Sequence, residues 1–316
     1  MRRRASIEDG ADLRPHDHVV WFGDGPGDLY SLASAALAEG ARRHEKLMFV
    51  AEDPDPARLT GVEGLDRLLA DGQLELLDVD AVYGDRNGFS AAGQLATFEG
   101  VLAEALGGGY RGIRVVADNT PLVQGDEESF RRWLAWEQLT DRFQASSMVT
   151  GVCFFDRAAL SGERQVDLAT LHPVRRASIA EPSFSLFSDG DAAVVAGALD
   201  GGDQDQWRRM LGTLPLDRPL VLDLAAVAVA DERALLALGE WATADRPLHI
   251  RGIGHLRELV SQIEAATPHV RFQYGNSGAA TCAHCGQPIG IYEPAVVVEH
   301  PPARYHRACY GLSSDR

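Results

Sequence analysis

Between residues 17 and 175 the chain alternates short apolar runs with stretches whose apolar positions recur every three or four residues. The runs HVVWF (18–22), KLMFVA (46–51), LELLDV (74–79), GIRVVAD (112–118) and MVTGVCFFD (148–156) have the length and Val/Phe/Leu content of strands buried on both faces. Helical periodicity falls between and after them, at 29–39, 62–71, 91–106, 126–143 and 157–171. In the first of these, Leu29, Leu32, Ala33, Ala36 and Leu37 make one apolar stripe, and Gly40 is suited to end it. Such alternation predicts a mostly parallel sheet with helices on both faces.

The stretch 176–183, with Pro182, reads as a linker after a first domain at 17–175, and residues 1–16 read as a tail before it. A second α/β unit is expected over 184–275. FSLF and AAVVAGALD pair across the turn at 188–191, and strands LVLDLA (220–225) and LHIRGI (248–253) alternate with helices near 203–213, 231–243 and 255–266. HVRFQY (269–274) is placed as an edge strand. GNSGAA (275–280) then leads to a compact tail at 280–312.

The chain has 316 residues, 45% hydrophobic and 24% charged, a composition that builds cores. A formal net charge of −16 argues against general binding to nucleic acid or to an anionic membrane. No apolar core follows the basic start, and no run is long enough to span a bilayer, so a cytoplasmic protein is expected.

Three of the four cysteines crowd into the tail, where Cys282-Ala-His-Cys285 and His306-Arg-Ala-Cys309 flank a segment containing AVVVE. Two close pairs of thiolate and imidazole ligands, joined through a hairpin, supply the four-coordinate tetrahedron that zinc prefers. His306 is expected to open a short helix. Structural zinc on Cys282, Cys285, His306 and Cys309 is therefore expected; the spacing resembles half of a LIM-type or treble-clef finger. A closed four-ligand site leaves no position for catalysis.

LVLDLAAVAVADERALLALGEW (220–241) resembles the signature of STAS domains, the fold of anti-sigma-factor antagonists, and AAVVAGALD resembles an early strand of that family. The resemblance implies a docking surface for an anti-sigma factor or related kinase-like regulator, switched by phosphorylation at a helix start. Here Asp231, Glu232 and Arg233 occupy that place, with no hydroxyl to accept phosphate. Asp231 and Glu232 suit a helix N-terminus.

The segments DHVVWF (17–22), LASAALAEGARRHEKLMFVAED (32–53), IRVVADNT (113–120), Trp136-Glu137, VCFFDR (152–157) and Leu171-His172-Pro173 resemble, in order, the MEDS sensory domain. That domain is itself similar to the RecA/KaiC ATPase core, whose phosphate loop would fall at Gly25-Pro26-Gly27-Asp28-Leu29. Asp28 and Leu29 stand where lysine and a hydroxyl residue would hold phosphate and Mg²⁺. A carboxylate there repels phosphate by several kcal/mol, on the order expected at an effective dielectric near 20. Asp28 is expected instead to cap the following helix.

A crevice at the strand ends of such a sheet is the expected ligand site. Asp24, Asp118, Asn119, Glu137, Cys153 and Asp156 are candidate contacts, with His18 at the far end of its strand. The expected whole is a RecA/KaiC-like sheet without a working phosphate loop, a STAS-like unit and a zinc finger. It would be a non-catalytic regulator that senses a small molecule. The alternatives are an ATPase with an atypical loop and a zinc-dependent DNA-binding regulator.

Overall fold

The computed structural model describes residues 3–84, 90–176, 178–179, 181–190, 192–200, 202–215 and 220–273, with the backbone of 295–299 and 302–306. The first sheet takes strands β1 (Ala5–Ile7), β2 (His18–Gly23), β3 (Lys46–Ala51), β4 (Leu74–Asp78), β5 (Ile113–Asp118), β6 (Val149–Asp156) and β7 (Val174–Arg176). Their order is β1-β7-β2-β6-β5-β3-β4, and every pairing is parallel. Parallel strands demand crossovers, and the helices provide them: α1 (Pro26–Arg42), α2 (Leu65–Ala70), α3 (Val79–Tyr83), α4 (Ala91–Gly107), α5 (Thr120–Val123), α6 (Glu127–Ser146) and α7 (Gly162–Leu171).

Strand alternation divides the core in two. Val19 and Trp21 of β2 pack with Leu29, Leu32, Ala33, Ala36 and Leu37 of α1 on one face, so the stripe read from the sequence is the buried one. Val20 and Phe22 join Cys153 and Phe155 of β6, Phe130 and Trp133 of α6 and Leu168 of α7 on the other. Helix starts are set by local side chains. Asp126 accepts the Ser129 amide at 2.8 Å to begin α6, and the Ser161 hydroxyl accepts the Arg164 amide to begin α7. Each such cap contributes on the order of 1 kcal/mol. The expected helix at 157–171 therefore starts later, after a single turn at 157–159.

Two short strands differ from expectation. Residues 5–7, read as part of a tail, form β1 on the sheet edge, and 174–176 form β7 between β1 and β2. Arg3 pairs with buried Asp17, while Glu181 accepts from Arg175 at 2.5 Å and from Arg4 at 2.8 Å, fixing both segments to the sheet rim.

The second sheet is mixed: β8 (Phe184–Asp189), β9 (Ala192–Leu199), β10 (Leu220–Ala230), β11 (Leu248–Arg251) and β12 (Val270–Gln273), in the order β12-β11-β10-β9-β8. Only β8 and β9 run antiparallel, as their tight turn requires. Helices α8 (Gln204–Leu211), α9 (Glu232–Trp241) and α10 (Arg257–Ile263) complete it. β10 is longer than expected, continuing to Ala230 through register shifts against β9. Phe184, Leu186 and Trp207 share one apolar core with Phe130, Trp133 and Leu168, so the second sheet is packed on α6 and α7 without a solvent gap. A separate hairpin, β13 (Ala295–Glu299) and β14 (Pro302–His306), contains the AVVVE strand expected in the tail.

Candidate functional site

Helix α6 presents Trp133, Glu137 and Asp141 at four-residue intervals, hence on one face. That face lies over β2 and β6, and all three residues are buried. His18 opens β2 with its side chain toward α6, Cys153 sits in mid-β6 on the same sheet face, and His172 follows the last residue of α7. The structure thus gathers four groups with no solvent exposure or nearly none: His18, Glu137, Cys153 and His172.

The contacts are specific. His18 Nε2 lies 3.2 Å from Glu137 Oε2 and its Nδ1 lies 3.1 Å from Asp141 Oδ1. Cys153 Sγ is 3.5 Å from His18 Nε2 and 3.7 Å from Glu137 Oε2. His172 Nε2 is 3.5 Å from that same Glu137 oxygen, and the two imidazole rings stand 4.0 Å apart. Three further partners aim these groups inward. Trp133 Nε1 donates to Glu137 Oε1 at 2.7 Å, the Leu168 carbonyl receives His172 Nδ1–H at 2.7 Å, and Asp141 holds His18 Nδ1–H.

Burial pushes His18 down, but hydrogen bonds to Asp141 and Glu137 outweigh it and raise its pKa. Burial pushes Glu137 up. Electrostatic interaction with His172, which is charged only in acid, the charge of His18 and the hydrogen bonds from His18 and Trp133 bring it below its ordinary value. His172 is pushed down to about 4 by burial and by the neighbouring His18 charge, leaving it neutral near pH 7. Burial and the Glu137 charge raise Cys153 well above the usual thiol range, so it rests as a thiol.

Beside Cys153 is a cavity of about 30 Å³, lined in part by Tyr83, Phe98, Asn119, Trp136 and Gln144. Its volume suits a group the size of a water molecule. Asn119 Oδ1 and Gln144 Oε1 are buried there without hydrogen-bond partners, two acceptors suited to a small donor. A larger open groove of about 560 Å³ runs along α1, lined by Tyr30, Ser31, Ser34, Arg58 and Thr60; it is remote in chemistry, with Arg58 as its one charged side chain.

Of the residues expected at one crevice, His18, Glu137, Cys153 and Asn119 come together, beneath α6 and α7. Asp24, Asp118 and Asp156 are elsewhere, at the C-terminal strand ends. Asp118 accepts the Thr120 amide, Asp156 accepts the Ala158 amide and Asp24 pairs with Arg157 at 3.6 Å. Burial raises Asp118, with Glu52 and Asp156 as neighbouring charges. His172 and Asp141 were missed. The helical spacing of Trp133, Glu137 and Asp141 was the available signal, because the side chain facing Glu137 must also face Asp141.

The glycine turn differs from expectation in one respect. α1 begins at Pro26 with Gly25 (φ 82°) as its cap residue, so Asp28 lies inside the first turn. Its carboxylate accepts the Asp24 amide at 3.1 Å and pairs with Arg176 at 3.3 Å. Asp231 does cap α9, accepting the Ala234 amide at 2.8 Å, with Glu232 and Arg233 in the first turn. Cys282, Cys285 and Cys309 lie outside the described residues. The backbone of His306 ends strand β14 where a helix start was expected, because PARYH pairs along the whole of AVVVE.

Residues 17–173 match the MEDS family. Its description is methanogen/methylotroph, DcmR sensory domain. The match takes in His18, Glu137, Cys153 and His172 and stops before the second sheet. It points to a sensory, signalling role for this part of the chain. No curated protein matches the chain. Among the described residues no helix is long and apolar enough to cross a membrane.

Proposed function

We propose that the protein is a non-catalytic, cytoplasmic regulator in which the MEDS-type domain senses a small molecule and the second sheet relays the result. The supporting observation is the double use of Asp141. One of its oxygens meets His18 in the buried cluster, and the other accepts the Ser188 amide of β8 at 2.6 Å. A change in the cluster therefore has a direct, buried hydrogen-bonded route to the second sheet.

In this reading the unit at 184–275 is STAS-like, and the region of Asp231, Glu232 and Arg233 is a docking edge for an anti-sigma factor or kinase-like regulator, unswitched by phosphate. The tail holds structural zinc on Cys282, Cys285, His306 and Cys309. The absence of lysine and hydroxyl at the glycine turn, with Asp28 already engaged by Arg176, supports a domain without ATP turnover. Native mass spectrometry of the full chain from its own host tests this. A small molecule and a regulatory protein partner in the same spectrum support it. Sustained Mg-ATP hydrolysis lost on Asp118→Ala would replace it with an enzyme.

A further inference from the structure

The buried cluster carries more than a proton network. We propose that His18 Nε2, Glu137 Oε2, Cys153 Sγ and His172 Nε2 bind one divalent metal ion of the zinc class inside the MEDS-type domain, separate from any site in the tail.

Three independent features support it. First, the spacing is that of a coordination shell. Metal–nitrogen and metal–oxygen bonds near 2.0–2.1 Å and metal–sulfur bonds near 2.3 Å give tetrahedral edges of about 3.3–3.6 Å. Four of the edges here measure 3.2, 3.5, 3.5 and 3.7 Å, and one donor atom from each of the four residues lies within 4.8 Å of the others.

Second, His172 is aimed at a place where it has no hydrogen bond. Its Nδ1–H is committed to the Leu168 carbonyl, and its Nε2 is fully buried, without a hydrogen-bond partner and 3.5 Å from Glu137 Oε2. A cation between these two atoms would bond both.

Third, the outer groups are those that metal sites use. His18 gives its other ring N–H to a carboxylate, His172 gives its own to a backbone carbonyl, and Glu137 takes an indole N–H on its outward oxygen. These three ligands are thereby locked with one donor atom inward. Two imidazoles, one thiolate and one carboxylate suit zinc, cobalt or iron rather than magnesium or calcium, which take oxygen shells. Binding releases to water the proton of the Cys153 thiol and any proton on an imidazole Nε2. The ion's two positive charges then balance Glu137 and the Cys153 thiolate.

The test uses the full chain with Cys282, Cys285 and Cys309 changed to Ser, which removes the tail thiolates. This protein is loaded with Co²⁺, passed through a desalting column and examined by elemental analysis and absorption. One cobalt per chain is expected, with visible bands of tetrahedral intensity and a near-ultraviolet thiolate-to-cobalt band. Cys153→Ser should lose the near-ultraviolet band, and Glu137→Gln, which matches the native shape, should weaken retention by about tenfold or more. Folded protein that retains no cobalt overturns the proposal, as does a spectrum unchanged in Cys153→Ser.

Discussion

Asp141 bridges the two sheets: it receives His18 Nδ1–H at 3.1 Å on one oxygen and the Ser188 amide at 2.6 Å on the other. Both donors need a negative, acceptor-only group. Asp141→Asn keeps the shape but turns an NH₂ toward one donor. Breaking a buried charge pair from one side costs about 3–5 kcal/mol, and a loss in that range is expected from urea unfolding. A variant as stable as the parent would mean that the bridge carries little energy.

Arg114 is fully buried and pairs with Glu45 at 2.6 Å beneath Gly40 of α1. A side chain at Gly40 would place Cβ 2.9 Å from the guanidinium stem and 2.5 Å from Leu47. Gly40→Ala should therefore cost about 1–3 kcal/mol by overpacking. Glu45→Gln should cost about 3–5 kcal/mol, because Arg114 is left charged and unpaired. Replacing the pair by Met and Leu together should recover most of that loss in a thermal melt. Additive losses would contradict a mutual pair.

Glu39 sits between Arg42 and Arg43 near the end of α1. Burial raises its carboxyl, but the two arginine hydrogen bonds prevail and its pKa is lowered from 4.5. A depressed folded pKa stabilises above the unfolded value and loses that contribution as pH falls through the folded one. Glu39→Gln should cost about 0.3–1 kcal/mol at pH 7, since the arginines are partly exposed. The difference should vanish well below pH 4 in paired denaturation curves. A cost independent of pH would assign Glu39 a packing role.

At the glycine turn, Asp28 is held by the Asp24 amide and Arg176. Isothermal titration of the full chain with Mg-ATP should show no binding at micromolar concentrations. Tight binding would require the turn to open and Asp28 to leave Arg176.

Most of the strand and helix order was legible because long apolar runs and helical stripes report burial directly. β1 and β7 were not, since three-residue strands containing Ser and Arg carry no pattern of their own; pairing of β7 with β2, and of β1 with β7, creates them. His18, Glu137 and Cys153 could be named singly from their chemistry. Their meeting depends on the register that sets Val20 beside Cys153, and on which face of α6 turns inward. His172 was visible only as part of a family motif, because the turn after α7 gives no sign of where an imidazole will point.

The proposed relay runs from the buried cluster to the second sheet through Asp141. Glu137 touches His18 and shares no hydrogen bond with β8, so Glu137→Gln perturbs the cluster alone. Amide hydrogen exchange at Ser188, compared between this variant and the parent, is the direct measurement. Faster exchange at Ser188, with β4 and β12 unchanged, is expected. Identical exchange at Ser188 would contradict the coupling.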